Sequence, residues 1–506
     1  MVRLTGNTLT LEQLEAVADR FEPVALDPRA AAAVDAARAV VDRAASGDDA
    51  AYGINTGFGA LAEVKIPRPS LAALQRNLLR SHAAGVDAPL SVPAVRAMMA
   101  LRANVLAKGY SGVRRSTLDA LIAALNARVH PIVPSRGSVG ASGDLAPLAH
   151  LALVLIGEGR ATVGDDREAI DGAGALSRAG LTPIDLGPKE GLALINGTQA
   201  SAAVAALAVT GAERLARAAD LAAALSIDGL RGSFHPFESR LHDVRPYPGQ
   251  RASAANLFAL LQNSPINASH ANCGRVQDAY SMRCAPQVHG AARDAFAHAR
   301  RTLEIEVNAA TDNPMVFGGS GDIVSGGNFH GAPVALASDI IVLGLVQLAT
   351  ISERRSDRLV NPALSGLAPF LTRDSGLNSG YMLAQVTAAA LVSELKTLAH
   401  PASADTIPTS ANREDHVSMS MAAALKAERV LELATRVLAI EILLACQAID
   451  LLAPLSTSPA LAPVHARVRS DVPTLVDDRP PAPDIEAISK LITRESLQRA
   501  CATEVK

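Results

Sequence analysis

The residues with the most distinctive chemistry in this chain are Ala141, Ser142 and Gly143, which lie in the middle of a glycine-rich loop. The backbone nitrogen of Gly143 can attack the carbonyl carbon of Ala141, and loss of water then closes a five-membered ring. Loss of the Ser142 hydroxyl as a second water gives 4-methylidene-imidazol-5-one, whose exposed methylene carbon is an electrophile. Glycine suits the attacking position because it has no Cβ and tolerates strained backbone geometry. The tripeptide therefore predicts a cofactor that the chain forms autocatalytically, with no external cofactor.

Other chemistries of glycine-rich loops fit this sequence less well. A dinucleotide-binding loop needs G-x-G-x-x-G, and a P-loop needs Lys-Ser or Lys-Thr after a glycine. A nucleophile elbow, G-x-S-x-G, needs a glycine where this chain has Asp144. The tripeptide alone also fits a plain turn, whereas the whole run from 137 to 148 is much more specific.

That run, Gly-Ser-Val-Gly-Ala-Ser-Gly-Asp-Leu-Ala-Pro-Leu, resembles the signature of the aromatic amino-acid ammonia-lyases. The resemblance covers nearly the whole chain and is greatest to the branch of the family that acts on histidine. It implies a carbon–nitrogen lyase that converts L-histidine to trans-urocanate and ammonia. It also implies a mainly α-helical fold of the fumarase/aspartase-like type, assembled as a homotetramer in which several subunits build each active site.

Further motifs match functional positions of that family. Tyr52, in Tyr-Gly-Ile-Asn-Thr-Gly-Phe-Gly, matches a catalytic tyrosine, although a loop tyrosine could equally anchor the glycine turns. A general base of this kind needs a hydroxyl near cations or dipoles that stabilise its deprotonated form. Asn196 matches an amide that binds substrate or the ring oxyanion without titrating, although Asn-Gly also occurs in simple turns. Phe329 matches an aromatic residue beside the ring, and the neighbouring His330 is interpreted as a buried, hydrogen-bonded histidine.

Gln277, Tyr280 and Arg283 are spaced by three residues, which predicts one face at the start of a helix. An amide, a phenol and a guanidinium on one face suit capture of an amino acid, with Arg283 gripping the α-carboxylate through two hydrogen bonds. A solvated or ion-paired face is the alternative interpretation. The family binds substrate at the matching positions.

Two positions bear on which amino acid is the substrate. His82, in Ser-His, stands where phenylalanine and tyrosine enzymes typically have Phe-Leu or His-Leu, and Glu414 stands where they have Gln. A carboxylate suits an imidazole, which donates N–H groups and can become charged. Glu414 could also serve as a carboxylate at a helix N-terminus. Arg413 replaces the Gln that is usual in the histidine branch and could pair with Glu414.

Several alternatives stay open at this stage. Either the amine or the imidazole of the substrate could attack the electrophile, and Tyr280 is the alternate base to Tyr52. A tyrosine or phenylalanine lyase, or an aminomutase, could use the same scaffold. A lyase of the fumarase type would carry a serine loop ending in Pro-x-Lys-x-Asn, which this sequence lacks. The intact reactive motifs argue against a non-catalytic helical oligomer.

Composition limits the class of protein and its partners. The 506 residues are 49% hydrophobic but only 3% aromatic, so small aliphatic residues must build closely packed helices. A net charge of −3 without a long basic run argues against nucleic acid or an anionic membrane as partner. The twelve histidines lack metal-ligand spacing, which predicts no metal site. The absence of a signal peptide predicts a cytoplasmic location, and free thiols are predicted for the scattered cysteines Cys273, Cys284, Cys446 and Cys501.

Hydrophobic periodicity predicts a central bundle of long helices. A small N-terminal domain carrying the reactive loop is predicted for residues 1–190, and the bundle with the C-terminal helices for 191–506. Apolar periodicity places the longest helices at about 199–226, 276–310, 328–354, 378–400 and 415–452.

Overall fold

The computed structural model of the chain describes residues 1–141, 143–271, 274 and 276–506, except for the side chain of Ala60. Ser142, the predicted source of the methylene carbon, and Cys273, a predicted free thiol, lie outside the described residues. The other three cysteines are free thiols, as the sequence predicts.

Local sequence signals define the ends of the first helices. Helix α1, Leu11–Asp19, begins with a reciprocal capping box, in which Gln13 N donates to Thr10 Oγ1 (3.2 Å) and Thr10 N donates to Gln13 Oε1 (3.1 Å). Helix α2, Pro28–Ser46, has Asp27 as its N-cap, Pro28 in its first turn and Gly47 at its end. The sequence alone predicts both caps, from Thr10 with Gln13 and from Asp27 with Pro28 and Gly47, and the structure confirms them.

The chain is mainly helical, as predicted, and its strands are short. Before residue 199 the structure also contains α3 Leu71–His82, α4 Val92–Ala107, α5 Arg115–Asn126, α6 Leu145–Leu155, α7 Gly172–Arg178 and α8 Glu190–Ile195. From residue 199 onward the helices are α9 Gln199–Gly229, α10 Ser239–Asp243, α11 Pro248–Leu261, α12 Pro265–Ala268, α13 Tyr280–Arg283, α14 Ala285–Glu306, α15 Ala332–Val360, α16 Pro362–Ser365, α17 Met382–Leu398, α18 Ser420–Leu451, α19 Ala462–Asp471, α20 Ala482–Thr493 and α21 Ser496–Ala500.

Four small sheets account for the described strands. A parallel pair joins β1 (Val2–Leu4) to β2 (Val24–Leu26), and the other sheets are antiparallel. They are β3 (Val86–Pro89) with β5 (Pro134–Arg136), β4 (Val129–Pro131) with β6 (Arg160–Val163) and β7 (Ile170–Asp171), and β8 (Met315–Val316) with β9 (Ile323–Val324). The sequence predicts only β6 and the β8–β9 pair, because strands of two to four residues carry little periodicity.

The five predicted long helices are present, with one difference at the third quarter of the chain. The helix predicted from about residue 276 is divided, because α13 ends at Arg283 and Cys284 leaves helical geometry (φ −99°, ψ 13°) before α14 begins. At the reactive loop, α6 begins at Leu145, so Pro147 lies in its first turn, where a missing N–H breaks no helical hydrogen bond.

Two compact units make up the chain. The first contains residues 1–207, 300–339 and 401–425, and the second contains 208–299, 340–400 and 426–506. The core of the first unit includes a cluster of Ala37, Val40, Val41, Ile54 and Val316. The predicted domain boundary at residue 190 stays a prediction, because spatial grouping does not establish which segments fold independently.

Helix α15 is long and apolar enough to cross a membrane by length and composition alone. Within its most apolar window, 67% of the residues are buried inside the protein. Buried core helices of water-soluble proteins have the same length and composition, so this helix is weak evidence for a membrane span.

Candidate active site

The backbone at Gly143 is shaped by close approach to a second chain segment. Gly143 has φ +73°, and a Cβ at this position would overlap the carbonyl group of Gly197. Gly143 forms isolated β-bridges with Ala141 and with Gly197, and the backbone N–H of Asp144 donates a hydrogen bond to Gly197 O (2.8 Å). A residue with a side chain would therefore meet both steric overlap and backbone strain here.

The segment that precedes α18 covers the other side of the loop. Gly140 also has a positive φ, and a Cβ there would overlap the hydroxyls of Ser418 and Ser420. Ser418 Oγ donates to Gly140 O (2.8 Å), and Met419 N donates to Val139 O (2.8 Å). These contacts fix the loop on both sides of Ala141, which is itself 5% exposed.

Asp144 is buried directly after the tripeptide. Its carboxylate accepts hydrogen bonds from Ser138 Oγ (2.8 Å), Ser201 N (2.7 Å) and Ser201 Oγ (2.8 Å). Burial raises the pKa of Asp144 and these donors oppose that shift. The carboxylate thus ties the reactive loop to the start of α9.

Asn196 follows α8 and is 2% exposed. Its Nδ2 donates to Asn313 O (2.8 Å), and its own backbone carbonyl accepts two bonds from the Arg102 guanidinium (2.7 and 3.0 Å). Its Oδ1 is buried and has no hydrogen-bond partner among the described residues. An unpaired buried acceptor is costly, so this atom is available for a ligand that donates a hydrogen bond.

Buried charges lie behind Asn196 and were not predicted from the sequence. Arg102 is fully buried, and burial lowers its pKa to about 10. Lys189 Nζ pairs with Asp312 Oδ2 (2.8 Å), and both side chains are inaccessible to solvent. The Arg102 guanidinium places a buried positive charge beside the Asn196–Gly197 peptide, and the negative charge of Asp312 interacts with it. The Lys189–Asp312 pair joins positions 123 residues apart and the Arg102–Asn196 bond joins positions 94 residues apart, so no local sequence signal could identify them.

Tyr52 lies in a loop that is fastened to α8. Gly53 packs against Leu192 of α8 with φ +75°, and the amide of Gln75 bonds Gly53 O (3.4 Å) and Leu192 N (3.2 Å). The Tyr52 hydroxyl accepts a hydrogen bond from Gly59 N (3.3 Å) and is half-buried. The helix that ends beside Asn196 therefore also supports Tyr52.

His82 and Glu414 lie close enough to interact electrostatically. Burial lowers the pKa of His82, and the negative charge of Glu414 opposes that shift. His82 Nδ1 is 2.9 Å from Leu78 O, and Glu414 Oε2 accepts from Thr409 Oγ1 (2.6 Å). The two residues that the sequence singles out for substrate preference thus lie within electrostatic range of each other.

Glu414 is not at a helix N-terminus, because α18 begins at Ser420. The chain reverses at Ser410, Ala411 and Asn412, which all have positive φ, and the backbones of Thr409 and Glu414 pair across that turn. Non-glycine residues in this region are strained by about 1–3 kcal/mol each. The local backbone is therefore strained where it presents the carboxylate.

Phe329 and His330 lie in the loop before α15 and are half-buried. His330 Nε2 is 3.2 Å from His416 O, and the two imidazole rings stack at 5.8 Å. His330 is hydrogen-bonded, as expected, but it is less buried than the sequence interpretation assumed.

Gln277, Tyr280 and Arg283 belong to the second unit. Gln277 precedes α13, so the prediction that all three lie on one helical face is wrong for Gln277. Arg283 Cζ stacks over the Tyr280 ring at 4.6 Å, and Arg283 Nε donates to Asp278 O (3.0 Å). Gln277 and Arg283 nevertheless line one cleft of about 1160 Å³.

In the part of the chain that the structure describes, no group of three or more His, Cys, Asp or Glu side chains is placed to hold a metal ion.

Comparison with known proteins connects these features to one family. A family model for aromatic amino acid lyases matches residues 9–470. The chain is 59% identical over 502 residues to the histidine ammonia-lyase of Anaeromyxobacter sp. (strain K), and the aligned region covers 98% of this chain and 99% of that protein.

Solved structures agree on the fold. Histidine ammonia-lyase from Trypanosoma cruzi is similar with a TM-score of 0.92 at 45% identity, covering 99% of this chain and 94% of that chain. Tyrosine aminomutase from Streptomyces globisporus gives a TM-score of 0.94 at 38% identity, covering 100% of both chains. The fold alone does not distinguish between these two relatives, whereas the sequence identity is higher to the histidine enzyme.

Proposed function

Because the chain belongs to the aromatic amino acid lyase family, we propose that it eliminates ammonia from L-histidine and releases trans-urocanate. The match to the lyase family model, together with identities of 59% and 58% to two histidine ammonia-lyases, makes it a carbon–nitrogen lyase. The identity of 59% to a histidine ammonia-lyase and the proximity of His82 to Glu414 support histidine as the substrate.

The observation that carries the proposal is the backbone geometry at Gly143. Ring closure needs the nitrogen of residue 143 close to the carbonyl carbon of Ala141, and the crowding against Gly197 leaves room only for glycine. Asn196 directly precedes Gly197, and its buried Oδ1, which has no partner among the described residues, is a hydrogen-bond acceptor available to a ligand. These residues fit a 4-methylidene-imidazol-5-one formed from Ala141, Ser142 and Gly143. That group supplies an electrophilic carbon, which side chains lack.

The elimination is difficult because the β-hydrogen is weakly acidic and the amine leaves poorly. In our proposal Arg283 binds the α-carboxylate with its planar fork, and Gln277 contributes to the same cleft. Asn196 Oδ1 accepts a hydrogen bond from the substrate amine. The Tyr52 oxygen takes the β-proton as the C–N bond breaks and the carbon–carbon double bond forms, and Tyr280 is the alternate base.

Substrate selection is assigned to the His82–Glu414 pair, with Phe329 beside the reactive group. Glu414 balances an imidazole that gains positive charge, which the amide of Gln cannot do. His82 stays neutral near neutral pH because burial lowers its pKa, so it can exchange hydrogen bonds with a second imidazole.

Assembly is also part of the proposal. We propose a cytoplasmic homotetramer in which several subunits contribute to each active site. Neither nucleic acid nor a membrane is proposed as a partner, since the charge balance is near neutral.

The substrate proposal is tested by comparing kcat/KM for histidine, tyrosine and phenylalanine. We expect phenylalanine to be disfavoured by at least about 2 kcal/mol, roughly thirtyfold, because it leaves buried polar groups unpaired. Glu414→Gln should reduce histidine turnover strongly while the protein stays folded, and His82→Leu should relax the preference for imidazole. Asp415→Asn, at the adjacent exposed position, is the matched control. A wild type that prefers tyrosine would refute the substrate assignment and direct attention to Arg413.

A further inference from the structure

Helix α13, which carries Tyr280 and Arg283, has only four residues. A helix of this length is unstable in isolation, because one turn fixes several dihedral angles for few hydrogen bonds. Its position must therefore come from the residues that surround it. Met282 provides one anchor, since it is buried and a Cβ on Gly232 would overlap its terminal methyl group.

A second anchor comes from α15. Arg355 Nη1 donates a hydrogen bond to the backbone carbonyl of Ser281 at 3.2 Å. Ser281 lies between Tyr280 and Arg283, so this contact restrains the backbone from which both side chains project. A guanidinium has a rigid donor geometry, which makes it well suited to holding a carbonyl at a defined place.

Arg355 is itself held by a buried partner. Its Nε and Nη2 bond the two oxygens of Glu441 on α18 at 2.5 and 2.9 Å, and both side chains are 0% exposed. Ser226 of α9 donates to the same carboxylate at 2.7 Å. Three long helices thus define the place of one guanidinium.

Arg355 is not needed to neutralise Asp220, which is another buried carboxylate of the second unit. Asp220 is already paired with Arg293 Nη2 (2.6 Å) and with His289 Nδ1 (2.7 Å). A buried ion pair also contributes little net stability, and well-packed apolar residues can often replace it. Both charges also interact electrostatically with His289, but among the described residues the hydrogen bond that the pair makes outside itself and Ser226 is the one to Ser281 O.

We propose that Arg355 is a positioning residue for recognition of the substrate carboxylate. Held by Glu441, it clamps the Ser281 carbonyl and so fixes the backbone that presents Arg283. The inference rests on the proposed role of Arg283 as the carboxylate ligand. Binding groups must be held to within about 0.5 Å of their working geometry, so a looser α13 weakens the grip on the carboxylate.

The test uses Arg355→Lys and the double variant Arg355→Met/Glu441→Met. The lysine keeps the charge beside Glu441 but cannot bond both carboxylate oxygens and Ser281 O in the guanidinium geometry. The double variant removes both charges together and therefore leaves no unpaired buried ion. It keeps the test possible if Arg355→Lys fails to fold. Arg354→Lys is the matched control, because Arg354 directly precedes Arg355 on α15 and its side chain is 59% exposed.

The measurements separate carboxylate recognition from general damage. We expect Arg355→Lys and the double variant to raise KM for histidine by about tenfold. The inhibition constant of histamine, which lacks the carboxylate, should stay within about twofold of wild type. A folded variant with wild-type KM, or with equal losses for histidine and histamine, would overturn the proposal.

A double-mutant cycle adds a second criterion. If Arg355 acts through Arg283, adding Arg355→Lys to Arg283→Lys should raise KM by less than about twofold further. Multiplied effects would show that the two residues act independently. If wild type acts on tyrosine instead, the same comparison with tyrosine and tyramine still tests Arg355, so the two proposals fail separately.

Discussion

Asn196 offers a test in which activity and stability should move apart. Replacing it with alanine removes the bond from Nδ2 to Asn313 O, and it also removes a buried Oδ1 that has no partner among the described residues. The lost bond and the carbonyl left behind destabilise the fold by about 1–3 kcal/mol. Removing the unpaired acceptor offsets this by a similar amount of about 1–3 kcal/mol. We therefore expect Asn196→Ala to change the free energy of unfolding by less than about 1.5 kcal/mol.

The effect on catalysis should be much larger. An active-site hydrogen-bonding group that acts on the reacting atoms contributes about 2.7–4 kcal/mol, so kcat should fall by a factor of about 10²–10³. The assay combines urea unfolding at fixed protein concentration with steady-state turnover of histidine.

Asn104 is the matched control for this experiment. It is also a buried asparagine of the first unit, but its Nδ2 donates to Val307 O (2.9 Å) and its Oδ1 accepts from Gly6 N (3.0 Å). Asn104→Ala should therefore destabilise the protein by at least about 2 kcal/mol with little change in kcat for the folded enzyme. If Asn196→Ala instead lost stability as Asn104→Ala does and kept its kcat, the reasoning about Oδ1 would be refuted.

Two further predictions concern pH and assembly. Burial, reinforced by Arg96 and Arg128, lowers the pKa of His130 from 6.5 to about 4. As the pH falls from 6.5 to 4, His130 takes up a proton in the unfolded chain but stays largely neutral in the folded protein, so protonation favours unfolding. Wild type should therefore lose up to about 3 kcal/mol of its free energy of unfolding over this range, and His130→Phe should not show this loss. Urea unfolding at both pH values checks this, and equal losses would contradict it. Coexpressed Ser142→Ala and Arg283→Ala chains should recover up to about a quarter of wild-type activity if subunits share active sites, and none if each site uses one chain.

The sequence predicted features that depend on neighbouring residues. Thr10 and Asp27 mark helix starts because a cap and its helix are adjacent in the chain. Residues 141–143 indicate their chemistry for the same reason, since the reacting atoms belong to one short loop.

Features that depend on distant residues were not predictable in this way. The hydrogen bonds from Arg102 to Asn196 O and from Arg355 to Glu441 link segments 94 and 86 residues apart. Gln277 shows the opposite error, because a spacing of three suggested a helix that begins only at Tyr280. The alternative interpretation of Glu414, as a carboxylate at a helix start, fails because α18 begins only at Ser420, and the three positive-φ residues before Glu414 have no sequence signature as clear as glycine.

The intact mass of the purified chain tests the central claim most directly. Two dehydrations within residues 141–143 should lower the mass by about 36 Da, and peptide mapping should place the deficit in that segment. Gly143→Ala, in which the added Cβ would overlap the Gly197 carbonyl, should show the full mass and no turnover of histidine. A preparation of wild type that turns over histidine while retaining its full unmodified mass would contradict the account.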